Sequence, residues 1–257
     1  MKLPPVLRLV VRNFASNLDL LTVIIRFGQP AMTIVVLGTM FSSLISTDVT
    51  GGTSYTAFLV PGMIAFQMIT GGVVSGNLFW LDRRWAMVEQ IFSGPFLRAE
   101  YLGGLVLTTL LFSLVGVGVM LLVGLPFIGL PSLSWLGVGA VLLTVALGSV
   151  FFAGLLIALG TRLRSANAYF TIQSFLQLFV IFLSTVYYPV SSKTPRVLAI
   201  VFYGNPLTYA ANTIRDAFKH ALGPADLVAL GVLGLLAAVA FGAAIVGFRS
   251  MDLGPIQ

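Results

Sequence analysis

The chain has 257 residues, 58% of them hydrophobic and 9% charged, with a net charge of +6 and no cysteine. Soluble domains carry about 25% charged residues, so the polar surface of a water-soluble fold is missing and lipid must replace water as the solvent. Disulfide frameworks and thiolate metal sites are excluded, and no basic run interleaved with aromatics suggests a nucleic-acid module.

The first predicted element covers 4–20. Arg8, Arg12, Ser16 and Asp19 recur at helical spacing, with Leu7, Val10, Val11, Phe14 and Leu18 on the other face. Such a helix lies in the membrane interface. Pro4, Pro5, Arg8 and Arg12 interrupt any apolar core of a signal peptide.

Six predicted spans follow, over 27–45, 55–79, 102–125, 135–161, 168–188 and 227–248. Each is near the ~20 helical residues that a bilayer core requires, and none alternates as barrel strands do. The fold class is therefore an all-α integral membrane protein in one transmembrane domain. Small-residue pairs at Gly72 and Gly76, Ala238 and Gly242, and Ala243 and Gly247 permit close helix contact. The stretch 195–219 predicts two short external helices, one starting at Thr194-Pro195 and one at Asn205-Pro206, where a capping side chain precedes proline. Their apolar residues Leu198, Val201, Phe202 and Leu207 dip them into the outer leaflet. Arg215 and Lys219 suit the C-terminal end of the second helix.

Orientation follows from lysine and arginine, ten of which fall on one side and four on the other, namely Lys193, Arg196, Arg215 and Lys219. The richer side is cytoplasmic, so both termini are expected inside and Ser132 and Thr194 outside.

The missing chemistry restricts function. Apart from Arg26, the predicted spans hold no ionisable side chain of the kind that proton-coupled carriers use. Sodium coupling through a broken helix has one candidate, Pro61-Gly62. The single histidine, His220, has no obvious catalytic partner, and no P-loop is present. No metal site and no cofactor of this chain is expected. The neutral polar residues Gln67, Thr70 and Asn77 of the second span, and Gln173, Gln177, Ser184 and Tyr188 of the fifth, are candidates for a substrate pathway. The last four fit one helical face. Interhelical hydrogen bonding explains them equally well.

The segment from Trp85 to Gly104 carries Glu89, Pro95, Arg98, Glu100 and Gly103 in an order that resembles ABC-2-type transporter permeases, which have Ser-Pro where this chain has Gly94-Pro95. Phe58 to Met63, with Pro61-Gly62, resembles that family's entry to the second span. Tyr188-Pro189, Pro195, Asn205 to Tyr209 and Arg215 resemble its external re-entrant region. Within the family the chain is most similar to daunorubicin-resistance-type and lipooligosaccharide-export permeases.

The resemblance implies an ABC-2 exporter fold and an exporter half. Two permease copies in a homodimer would pair with two separate ATPase subunits, which bind the ATP and Mg, in the plasma membrane. It also implies a coupling helix at 84–94 resting on the ATPase, with Trp85, Val88, Ile91 and Phe92 as an apolar face and Glu89 and the Arg83-Arg84 pair fixing register. The expected cargo is amphipathic or hydrophobic, drug-like or lipid-linked. The alternative is an ATP-independent secondary transporter or channel.

Overall fold

The computed structural model describes residues 4–48, 50, 52–94, 96–129, 133–190 and 194–251. Pro95, Ser132 and Lys193, used above, lie outside them. The described residues form helices and no strand: α1 (Pro5–Ala15), α2 (Leu20–Ser42), α3 (Tyr55–Arg84), α4 (Met87–Ser93), α5 (Arg98–Ile128), α6 (Trp135–Arg162), α7 (Ala166–Phe182), α8 (Arg196–Tyr203), α9 (Pro206–Phe218) and α10 (Pro224–Arg249). Five of these, α2, α3, α5, α6 and α10, are long and apolar enough to cross a membrane, and α7 is a shorter apolar helix of 17 residues.

The central helix is α3, which is apolar on nearly every side and is buried on nearly every side. Glycines let its neighbours approach. A Cβ on Gly72 would lie 2.5 Å from the Cβ of Phe152 in α6, and one on Gly71 would lie 2.7 Å from the Thr109 carbonyl in α5. Small hydroxyls then stitch the three helices together. Ser149 and Ser113 are 2.8 Å apart, Ser113 donates to the Gln67 carbonyl at 3.1 Å, and Thr109 donates to Ser75. Each such bond adds about 1 kcal/mol in a membrane interior. The small-residue pairs divide accordingly. Gly72, Gly76 and Gly247 make close contacts, whereas Gly242 faces open space. The tight approach of α10 to α6 occurs instead at Gly154, against the Ala240–Phe241 backbone.

Outer faces of α2, α7 and α10 expose Ile25, Met32, Phe175, Leu178, Leu235 and Val239. Contiguous apolar exposure of this kind suits lipid or another membrane chain.

Several predicted elements are corrected. The helix of the second span runs past Phe79, since α3 continues through Asp82 to Arg84. Pro61 lies inside α3 without breaking it, which removes the broken-helix sodium site. Asp19 is not on α1; it is the N-cap of α2, accepting from the Thr22 amide at 2.9 Å, and the Thr22 hydroxyl and amide hold its carboxyl below the ordinary value.

Helix α7 ends at Phe182 rather than near Tyr188. The reason is tertiary. Asn205 Nδ2 donates to the Val180 and Leu183 carbonyls at 2.7 and 2.8 Å, and Arg215 Nη2 donates to those of Thr185 and Val186 at 2.7 and 3.2 Å. These donors replace the amides that a continued helix would supply. Ser184 and Tyr188 therefore do not share a helical face with Gln173 and Gln177.

Asn205 caps α9 as expected, accepting from the Leu207 amide at 2.9 Å, while α8 starts one residue late with Pro195 at its N-cap. Arg215 is not a solvated helix-end charge. It is buried, with its guanidinium 3.7 Å from the Phe58 ring centre. Leu207, Ala210, Ala211 and Ile214 bury α9 in the main core.

Candidate functional site

Two features combine chemistry with position: a polar seam between α2, α3 and α7, and the end of the molecule where α1, α4, α5 and α10 meet.

In the seam, α3 presents Thr70, Val73, Asn77 and Trp80 at spacings of three and four, and α7 presents Tyr169, Gln173 and Gln177 at spacings of four. The helices run antiparallel. At one end the Trp80 and Tyr169 rings stack at 4.8 Å, with an interplanar angle of 7°. At the other end Thr70, Val73 and Gln177 line a cavity of about 310 Å³ with Phe66 and with Thr22, Ile25, Arg26 and Gln29 of α2. A Cβ on Gly76 would sit 2.7 Å from the Tyr169 hydroxyl, so that glycine is what seats the ring. Buried oxygens of Asn77, Gln173 and Tyr169, the Trp80 indole nitrogen and Arg26 Nη1 have no protein hydrogen-bond partner among the described residues. Such groups are costly to leave dry, which marks the seam as a place for water or polar ligand atoms.

The predicted pathway residues thus separate. Thr70 and Gln177 meet in the cavity, and Asn77 and Gln173 lie along the same seam. Gln67 is fully buried against α5, where a Cβ on Gly116 would lie 2.3 Å from its Oε1; that oxygen too has no hydrogen-bond partner among the described residues, but Gln67 does not line the cavity. Tyr188 is half exposed beyond α7, beside Tyr187. Arg26 and Gln29 were missed as lining because polarity alone does not tell which face of a first span turns inward. Arg26 also lies 5.1 Å from the Phe112 ring and donates to Asn17 Oδ1 at 3.2 Å.

At the other feature, α4 is a single short helix entered through Ala86 in a left-handed conformation, φ 51°. Its apolar face does not point outward. Val88 is 2% exposed, and Ile91 and Phe92 pack on the same core as Leu102 and Phe248. The Phe92 ring meets Tyr101 at 5.9 Å and Phe248 at 5.7 Å. Arg83 also turns inward, donating to the Gly160 and Leu163 carbonyls that end α6. The surface left outward consists of Arg84, Trp85, Met87, Gln90 and Leu97, with Glu89 half buried beside it; Trp85 is 67% exposed. An amphipathic pattern names the face that is covered, not the chain that covers it, and here the chain covers its own.

Above this aromatic cluster sits a polar node. Arg12 of α1 donates to Asp82 at 2.6 Å, the Tyr101 hydroxyl donates to the same oxygen at 2.8 Å, and Asn13 donates to Thr108 at 3.0 Å. Helix α1 is thereby fastened to α3 and α5, and Phe92 ties α4 to the same tyrosine. Asp82 lies three residues beyond the predicted end of the second span at Phe79, in a position that sequence alone assigns to a solvated connection.

A single connected core therefore links the short helices α1 and α4 to the ends of the long apolar helices α3, α5 and α10. Residues 7–219 match the ABC-2 type transporter membrane family. The chain belongs to that family. The match covers most of the chain, from α1 to the end of α9. A search of curated proteins finds no match. As an ABC-2 permease the protein is a multi-pass transport subunit and not an ATPase, and membership implies partner ABC ATPase subunits.

Proposed function

We propose that this permease is an exporter half that works as a homodimer with two separate ATPase subunits, both termini cytoplasmic, in the plasma membrane. The family match carries this reading. The secondary-transporter alternative gives way to it.

The cargo is amphipathic or hydrophobic, drug-like or lipid-linked. Support comes from the α2–α3–α7 cavity, where the neutral groups of Thr70, Gln177 and Gln29 stand beside Phe66, Val73 and Ile25, with Arg26 as the one cation. Such a lining favours a molecule with an apolar body and few polar atoms. ATP and Mg belong to the partner. Coupling runs through the outward surface around Trp85, Arg84 and Glu89, while Val88, Ile91 and Phe92 transmit movement inward to Tyr101.

The test is ATPase stimulation of the reconstituted complex by a panel of amphipathic compounds. Gln173→Leu with Gln177→Leu should change which compounds stimulate and leave assembly intact. An unchanged ranking would remove the seam from the pathway.

A further inference from the structure

A second cavity, about 340 Å³, opens between the first turns of α5 and the last turns of α10. Its interior is lined by Leu102, Val106, Phe241 and Ile245, and Arg98 and Arg249 stand at one end. Both arginines are exposed, and neither makes an ion pair or hydrogen bond among the described residues; Arg98 only approaches the Phe248 ring, at 5.9 Å. Phe248 forms the floor at that end, fixed by stacking on Tyr101 at 5.9 Å. The wall contains Gly103, where a Cβ would meet nothing within 4 Å.

We propose that this groove is a binding site for an anionic phospholipid. The arrangement is that of a lipid: two guanidiniums at one level, then an apolar channel running along two long apolar helices away from them. Guanidinium pairs bind phosphate oxygens in forked geometry. Basic pockets between spanning helices select anionic headgroups. A soluble anion would use the arginines and gain nothing from the channel, whereas an acyl chain fills it. The site lies on the opposite side of α5 from α1, outside the α2–α3–α7 seam, and shares no residue with it. Because the floor residue Phe248 also touches Phe92 of α4, an occupied groove would brace the coupling segment. With both termini cytoplasmic, as proposed above, the groove opens to the cytoplasmic leaflet; headgroup selectivity does not depend on that orientation, so the two can fail separately.

The experiment is native mass spectrometry of the purified permease mixed with phosphatidylglycerol or phosphatidylcholine of identical acyl chains. Wild type should retain one phosphatidylglycerol per chain in about tenfold preference over phosphatidylcholine, as two basic residues near an anionic headgroup allow. Arg98→Gln with Arg249→Gln should erase the preference, and Arg98→Lys with Arg249→Lys should keep most of it. Gly103→Leu fills the groove without touching the packing and should lower retention of both lipids, even if the glutamine pair expresses poorly. No preference in wild type, or equal phosphatidylglycerol retention by wild type and Gly103→Leu, would overturn the proposal.

Discussion

Arg12 and Asp82 form an ion pair at 2.6 Å across seventy residues of sequence, joining α1 to the C-terminal end of the central helix α3. The carboxylate is buried and receives the Tyr101 hydroxyl as well. The node thus couples α1, α3 and α5, and through Phe92 the surface helix α4.

Asp82→Ala should release α1. Removing one partner of a mostly buried pair leaves the other charge uncompensated, at a cost of about 2–4 kcal/mol. Trypsin should then cut after Arg8 or Arg12 in the detergent-solubilised protein at least tenfold faster than in wild type. An unchanged digestion rate would show that α1 is held by its apolar contacts alone.

Arg215→Met should destabilise the end of the molecule where α9 packs against the start of α3. The guanidinium donates to the Phe58, Thr185 and Val186 carbonyls, and hydrogen bonds to a charged group contribute about 1.5–3 kcal/mol each. Space for it depends on Gly62, where a Cβ would lie 3.1 Å from Nη2. Arg215→Lys should not rescue, since an ammonium cannot reach three carbonyls in a planar fork. The check is thermal stability by size-exclusion elution after heating, and full stability of either variant would contradict the assignment.

Gly72→Leu and Gly118→Leu should differ sharply. The first drives a side chain into the Phe152 and Ala153 backbone at under 3 Å, whereas the second faces open space. Gly72→Leu should abolish membrane accumulation of folded protein, and Gly118→Leu should leave it within about twofold of wild type. Equal yields would mean that α3 and α6 do not pack as described.

Single cysteines can be introduced without background labelling because the chain has none. An impermeant maleimide added outside intact cells should label position 194 and spare positions 16 and 250. Labelling at 16 or 250 would invert the proposed orientation.

The long apolar runs of the sequence coincide with α2, α3, α5, α6 and α10, each long and apolar enough to cross a membrane, because lipid demands about 20 apolar residues whatever the neighbours. What hydropathy hides is where a helix ends once its termini are satisfied from elsewhere in the chain. Asp82, Arg83 and Arg84 stop an apolar run but not a helix, since Arg12 and Tyr101 take up Asp82, the α6 carbonyls take up Arg83, and Arg84 is exposed beside the Trp85 ring. The converse holds at Phe182, where an apolar run continues but Asn205 and Arg215 capture the carbonyls. The Asn205-Pro206 cap was legible because it is local. The seam was half legible: Gln173 and Gln177 share a helical face by spacing, but the facing of Arg26 and Gln29 toward them depends on how α2 packs.

Transport by this permease is proposed to be driven by a separate ATPase acting on the α4 surface. Its most direct test is ATP-dependent flux of a stimulating compound in proteoliposomes holding the permease alone, the permease with its ATPase, and the Glu89→Arg permease with the same ATPase. Glu89 is half buried beside exposed Trp85 and makes no ion pair among the described residues, so it is available to a basic residue of the partner. Coupling through α4 predicts flux only in the second preparation. Charge reversal should lower flux and ATPase pull-down by at least tenfold, with part of the loss restored when the partner's basic residue is reversed too. Undiminished flux by the permease alone, or normal flux and pull-down with Glu89→Arg, would contradict it.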